Sequence, residues 1–186
     1  MSNTWTTNVD ALLRKPNAFH LRDSVTVQRS AATVFNFIVN DLPAHYSDIA
    51  KGHKKFKVVG SDEIAEGDSI ECHEIARNVE VHHLYKVIKV VPNKHIHLCT
   101  LLSSNPTRAY IQSMGKTIEG KSATYVYFDL EEMASEETRL TQSIVIQMPN
   151  LFFKLTGLLT GQKKLWGSHL SEELYGLKGV IEKSGN

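Results

Sequence analysis

Hydrophobic and polar positions alternate through residues 19–29, a period of two that predicts a strand. Ser30-Ala-Ala then offers a helix N-cap, and Val34, Phe35, Ile38 and Leu42 recur at helical spacing. Pro43 interrupts that pattern. A second short helix is predicted over 46–51, with Gly52 ending it. Extended structure follows, with strands over 55–59, 69–76, 79–91 and 94–102. They are separated by turn signals at Ala65-Glu-Gly-Asp68, Arg77-Asn78 and Pro92-Asn93. Residues 103–122 are the least readable stretch, with loop signals at Asn105-Pro106 and Glu119-Gly120 around a candidate strand. A hairpin over 124–133 and 138–148 comes next. Pro149-Asn150 then opens a final helix to about residue 183, which Gly157, Gly161 and Gly167 weaken or bend.

The phase of that last helix carries the first chemical signal. At about 100° per residue, Trp166, Leu170, Leu174, Leu177 and Ile181 share one face, and Leu155, Leu158, Leu159 and Val180 extend it. His169 and Glu173 fall inside this apolar stripe, whereas Glu172 and Tyr175 point away. A bare buried carboxylate costs several kcal/mol. Glu173 therefore needs a cation, a proton or water.

Pairing the strands through their tight turns sets Glu74 opposite Val81, Cys72 opposite His83, and Ile70 opposite Tyr85. Across the next turn, Val87 faces Leu98, Tyr85 faces Thr100 and His83 faces Leu102. The face made by these residues and Ile96 is the more apolar, so it is expected to meet the helix. Glu74 becomes a second inward carboxylate, with Cys72, His83 and Tyr85 as polar neighbours. Ile70, Cys72, Val87, Leu98, Thr100, Leu158 and Trp166 are then the expected lining of an apolar small-molecule cavity. The opposite face carries Glu71, His73, His82, Lys86, His95 and His97, read as solvated. Cys72 with His83 could form a nucleophile and base, but no orienting group or oxyanion hole accompanies them. Met133, Met148, Phe152 and Phe153 are expected in the core. A membrane-touching role for Leu151-Phe-Phe-Lys154 is the lesser reading.

Length and charge narrow the classes. The 186 residues fit one domain over 19–186 with an N-terminal arm over 1–18. A net charge of +1 gives no whole-molecule case for nucleic acid or an anionic membrane. The basic run His53-Lys-Lys-Phe-Lys57 reads as a solvated strand edge. Cys72 and Cys99 form neither a metal-type spacing nor a disulfide framework. No signal peptide or membrane-spanning run is visible, so a cytoplasmic location is expected. No nucleotide cofactor is expected.

The element order is a strand, two short helices, a run of antiparallel strands and one long helix. With Ser30-Ala-Ala-Thr-Val-Phe-Asn-Phe37, Glu66-Gly-Asp68 and Val87-Ile-Lys-Val-Val-Pro-Asn-Lys94, it resembles the helix-grip fold of the Bet v 1, START and polyketide-cyclase superfamily. That resemblance, over 19–183, implies an α+β fold in which a curved antiparallel sheet wraps a long C-terminal helix and encloses a hydrophobic ligand. The chain departs from it at Tyr46, where many relatives carry tryptophan, and in the long 103–122 stretch. A second resemblance is to the zinc-dependent diacetylphloroglucinol hydrolase type. It implies a divalent metal, zinc first, on His53, Glu74, His169 and Glu173. It also implies hydrolysis of a hydrophobic ketone, with Tyr85 or His83 as proton-transfer candidates. The rival expectation is a metal-free carrier of lipid, polyketide or isoprenoid. A pure protein-interaction module has no positive sign in the sequence.

Overall fold

The structure, a computed structural model, describes residues 16–76, 79–103, 123–148 and 150–184. The strands are β1 (Ala18–Val27), β2 (His53–Val59), β3 (Ser69–Ala76), β4 (Val79–Val91), β5 (His95–Ser103), β6 (Ala123–Ala134) and β7 (Glu137–Gln147). Among the described residues they form one antiparallel sheet in the order β1-β7-β6-β5-β4-β3-β2. Between β1 and β2 lie α1 (Ala31–Asn36), a π-helical turn (Phe37–Asp41) and α2 (Leu42–Ile49). After β7 come α3 (Leu151–Leu159) and α4 (Gln162–Lys183). The sheet curves around α4, as the helix-grip expectation requires.

Local chemistry explains the element ends. The Ser30 hydroxyl accepts from the Thr33 amide at 3.2 Å and starts α1. Pro43 does not interrupt a helix. It sits in the first turn of α2, where its missing N–H has no partner to lose. Asn150 accepts from the Phe153 amide at 3.2 Å and starts α3. Gly161, at φ 74°, ends that helix with left-handed backbone and lets α4 begin in a new direction.

This break corrects the single final helix expected from the sequence. Phase counted back from Trp166 fails beyond Gly161. Leu155, Leu158 and Leu159 are 51%, 42% and 88% exposed instead of joining the core stripe. Within α4 the phase holds: Leu170, Leu174, Leu177 and Ile181 are buried. The last three pack with Ile38, Ile70, Val87 and Leu98 in the main core.

Two close approaches seat the layers. A Cβ on Gly176 would lie 1.8 Å from the Ile49 carbonyl oxygen, so α4 touches the end of α2 backbone to backbone. A Cβ on Gly52 would lie 2.0 Å from the Ile75 carbonyl oxygen. The Gly52 carbonyl in turn accepts from the Ile75 amide at 2.8 Å, tying the start of β2 to β3.

Strand register follows the expected turns with three adjustments. Val87 faces Leu98 and Tyr85 faces Thr100, but bulges leave Ile88 and Leu101 unpaired, so His83 opposes Ser103 and not Leu102. On β2, His53 pairs with Glu74 and Lys55 with His73, leaving Lys54 as the extra residue. On the outer face His97 is buried, not solvated, with its ring stacked on Tyr127 at 4.3 Å. Met148 is buried, whereas Met133 and Phe152 are 47% and 67% exposed, so those two are not core. The expected arm falls mostly outside the described residues, as do residues 104–122.

Candidate metal centre

Glu74 projects from β3 toward α4 and is the hub of the concave face. Its neighbours come from four other elements, all brought in by features of the fold already described. The extra Lys54 reverses the alternation of β2, so that Phe56 and His53 both turn inward while Lys54 and Lys55 stay exposed. Without that bulge His53 would face solvent. His83 comes from β4, opposite Cys72. His169 reaches down from α4, one turn before Glu173. Tyr46 enters from α2.

Three imidazoles surround one carboxylate. The Nε2 atoms of His169 and His53 lie 3.4 and 4.0 Å from Glu74 Oε2, and His83 Nε2 lies 3.8 Å from Oε1. The Tyr46 hydroxyl donates to Oε2 at 3.2 Å and lies 3.0 Å from Cys72 Sγ. Its ring stacks on His53 with centroids 3.9 Å apart. The imidazole of His53 and that of His169 meet edge to face.

The charges follow from these contacts. Burial alone would push Glu74 up, but the hydrogen bond and positive charge of His169, with His83 and His53 behind it, hold it below its ordinary value. His169 is the reciprocal case. Burial opposes its charge, yet Glu74 and then Glu173 hold its pKa above the ordinary value. His53 goes the other way, down to about 4, because burial outweighs the attraction of Glu74. Burial drives Tyr46 and Cys72 well up, so both stay protonated near neutrality. Cys72 is therefore a neutral thiol beside a phenol. The carboxylate next to His83 is Glu74, so the arrangement does not activate a cysteine nucleophile.

His53 shows what this constellation can hold. Its Nδ1 lies 3.1 Å from the Tyr46 carbonyl oxygen, a hydrogen bond that puts the proton on Nδ1. The Nε2 lone pair then points at Glu74, buried and without a hydrogen-bond partner. A histidine fixed in this way by a backbone carbonyl is how metal-ligating imidazoles are commonly oriented. A ring nitrogen of His53, a Glu74 oxygen and a ring nitrogen of His169 lie within 4.8 Å of one another, all on buried residues. Donors around a tetrahedral ion bound at about 2.0–2.1 Å lie about 3.4 Å apart, so small side-chain movements would close this set.

Glu173 is beside this cluster and outside the converging set. Its stem keeps some accessible surface while its carboxyl is enclosed. Burial, then the Glu74 charge, raise its pKa to about 7, against the opposing pull of His169 and a hydrogen bond with Gln142.

The remaining expected site residues divide. Ile70, Cys72, Tyr85, Val87 and Leu98 are buried on the concave face, in the core that α4 covers. Thr100 is buried too, but its hydroxyl donates to the Thr124 carbonyl at 2.7 Å and accepts from the Thr124 amide at 3.0 Å. It bridges β5 to β6 and is not offered to a ligand. Trp166 is half-buried, edge-on to His169 with centroids 6.0 Å apart. Leu158 does not line the concave face. It borders an outer groove with His20 and Lys163. Tyr46 is the functional residue that sequence reasoning missed. The sequence marked it only as a departure from the resembled fold, where many relatives carry tryptophan, in the second short helix and seven residues before His53.

No protein-family model and no curated protein matches the chain by sequence. Solved structures match closely in shape. A START superfamily protein from Mycobacterium smegmatis superposes with a TM-score of 0.62 at 13% identity, covering 88% of this chain and 97% of that one. The chain has the START and Bet v 1-like helix-grip fold. A norcoclaurine synthase point mutant from Thalictrum flavum, in complex with a transition-state analogue, gives 0.62 at 11% identity, covering 91% and 97%. The ZhuI aromatase/cyclase from a Streptomyces species gives 0.61 at 13% identity, covering 91% and 96%. At these identities the likeness is one of fold. Among the described residues, no helix is long and apolar enough to cross a membrane.

Proposed function

We propose that the chain binds a small hydrophobic molecule against the concave face and holds one divalent metal ion, zinc first, on His53, Glu74 and His169. Glu173 would serve as the fourth ligand or as a neutral acid beside it. The observation that carries this reading is the buried His53 Nε2, oriented through Nδ1 and left without a hydrogen-bond partner beside Glu74. Two imidazole nitrogens and carboxylate oxygen are donors that suit zinc. Bound there, the ion would polarise a ligand carbonyl or activate water. Hydrolysis of a hydrophobic ketone is the reaction that the resemblance to the zinc-dependent hydrolase type implies. The chain's own residues do the rest. Tyr46 orients both ligands, Glu74 through its hydroxyl and His53 through its backbone carbonyl. Ile70, Val87 and Leu98 exclude water. His83, 3.8 Å from Glu74 and tilted against the Tyr85 ring, is placed to receive or return a proton.

The fold likeness to an aromatase/cyclase and to norcoclaurine synthase supports a pocket that accepts apolar, ring-bearing molecules. A metal-free carrier is the second reading, and the Glu173 carboxyl favours it. A pKa near 7 lets that group sit neutral in the core, so no cation is needed to balance it.

Elemental analysis of untagged protein after zinc reconstitution and desalting tests the first reading. The expected result is about one equivalent in the wild type, lost in both His169→Ala and Glu74→Gln. A wild type that retains no metal, together with a co-purified apolar ligand in native mass spectrometry, would move the assignment to the carrier.

A further inference from the structure

Helix α3 is amphipathic in the inverted sense. At about 100° per residue, Leu151, Phe152, Leu155, Leu158 and Leu159 occupy one continuous arc. All five are exposed, from 42% at Leu158 to 88% at Leu159. The opposite side of α3 carries Phe153 and Gly157. Gly157 is buried, and a Cβ there would meet the Phe19 ring at 2.8 Å. That close seat on β1 fixes the rotation of α3 and turns its leucines outward.

The hydroxyls of this helix and of its C-cap are turned back onto its own carbonyls. The Thr156 hydroxyl donates to the Phe152 carbonyl at 3.0 Å, and the Thr160 hydroxyl to the Thr156 carbonyl at 2.9 Å. The stripe thus presents almost no unmet hydrogen-bonding group to a partner.

Its surroundings are cationic. No Asp or Glu occurs between Asn150 and Ser171, the span that builds α3 and the start of α4, and it holds Lys154, Lys163 and Lys164. A groove of about 500 Å3 opens beside the stripe, bordered by Leu158, Lys163, Lys164, His20 and Arg22. Its one carboxylate, Asp23, accepts from the Ser171 hydroxyl at 2.6 Å and the Ser24 amide at 2.8 Å. Lys154 and Lys163 are near enough to His20 to reinforce the effect of burial in lowering its pKa.

We infer that α3 and the basic groove beside it form a docking surface for an anionic lipid bilayer. Phe152 and the leucines enter the acyl boundary, and Lys163, Lys164 and Arg22 meet the headgroups. A lone apolar helix face would suit a protein partner equally. Cations along one flank of a stripe without polar groups match an interfacial membrane helix, whose apolar face enters the acyl boundary while its basic residues stay at the headgroups. The net charge of +1 concealed it, because it averages this stretch, which has no acidic residue between Asn150 and Ser171, with the acidic residues of the rest of the chain. This surface is separate from the metal centre and does not depend on the reading given to it.

Co-sedimentation of the full chain with vesicles tests the inference. Two compositions are needed, phosphatidylcholine alone and phosphatidylcholine with phosphatidylglycerol. The wild type is expected to bind the anionic vesicles and to release as salt is raised. Phe152→Ser with Leu159→Ser, and separately Lys163→Glu with Lys164→Glu, should each lower the partition coefficient by about tenfold or more. These residues are exposed, so melting temperature should stay near that of the wild type. Absent binding to anionic vesicles, or binding that the Phe152/Leu159 variant retains in full, overturns the proposal. So does a wild-type dimer in light scattering that this variant converts to monomer without vesicle binding, which would give the face to a second copy.

Discussion

Glu173 keeps a carboxyl group enclosed beside Glu74, and its pKa rises to about 7 through burial first and the Glu74 charge second. The unfolded chain would release that proton near 4.3. Between those values the folded protein holds a proton that the unfolded one has lost, so stability falls as pH rises. The contribution is present in full below about 4.3 and gone above about 7, an effect of up to about 3 kcal/mol. Glutamine keeps the shape of the side chain and never ionises. Metal-free Glu173→Gln is therefore expected to match the wild type near pH 4.5 and to exceed its stability at pH 8, by up to about 3 kcal/mol. Denaturant titrations at both pH values check this; equal curves at pH 8 would mean that the carboxylate has a cation beside it after all. The inward placement of Glu173 was legible from the sequence, because the phase within α4 is unbroken from Leu165 to Ile181. The role of Tyr46 was not. Its hydroxyl reaches Glu74 only because α2 packs against β2 and α4, a contact between segments that no local pattern links.

At the scale of elements, the site depends on how α2, β2 and α4 are seated, and two glycines, Gly52 and Gly176, decide it. Gly176 lets α4 meet the Ile49 carbonyl, and a methyl group there would stand 1.8 Å from that oxygen. Gly179, one turn along, has nothing within 4 Å of a built Cβ. Gly176→Ala should push α4 off α2 and cost about 1–3 kcal/mol or more. Gly179→Ala should leave stability unchanged or raise it by up to about 1 kcal/mol through helix propensity. A thermal melt of the two variants separates packing from propensity; equal shifts would show that α4 is not clamped at Gly176. The same scale marks what the sequence could and could not convey. The hairpin pairings of β3 with β4, β4 with β5 and β6 with β7, and the inward set around Cys72, were readable, because alternation and tight turns are local signals. The Lys54 bulge was not, though it is what turns His53 inward. His53 entered the site only through a family resemblance. The final helix was misread from Gly161 backwards. An αL glycine resets direction without altering the apolar count, so Leu158 looked like core when it is surface.

Across the whole molecule, the proposed ion would join the sheet edge, through His53 and Glu74, to α4, through His169. Metal binding should then stabilise the fold, by about 3 kcal/mol at a hundredfold excess over Kd. Its pH dependence follows from which ligands carry protons. His53, with a pKa of about 4, is already neutral near neutrality and has no proton to release. His169 is held above its ordinary value by Glu74, which outweighs its burial, so it still carries a proton where a free histidine would not. An ion must displace that proton. Affinity should therefore rise with pH by about one decade per unit through the His169 transition, and level off above it. Glu173 adds a diagnostic. If its carboxylate also ligates, a second proton leaves and the slope approaches two decades per unit below about pH 7. Glu173→Gln would then return the slope to one. If Glu173 stays a neutral neighbour, wild type and variant share the single-proton slope. Competition against a chromophoric chelator across pH reads both cases, and an affinity that does not change with pH would remove His169 from the site.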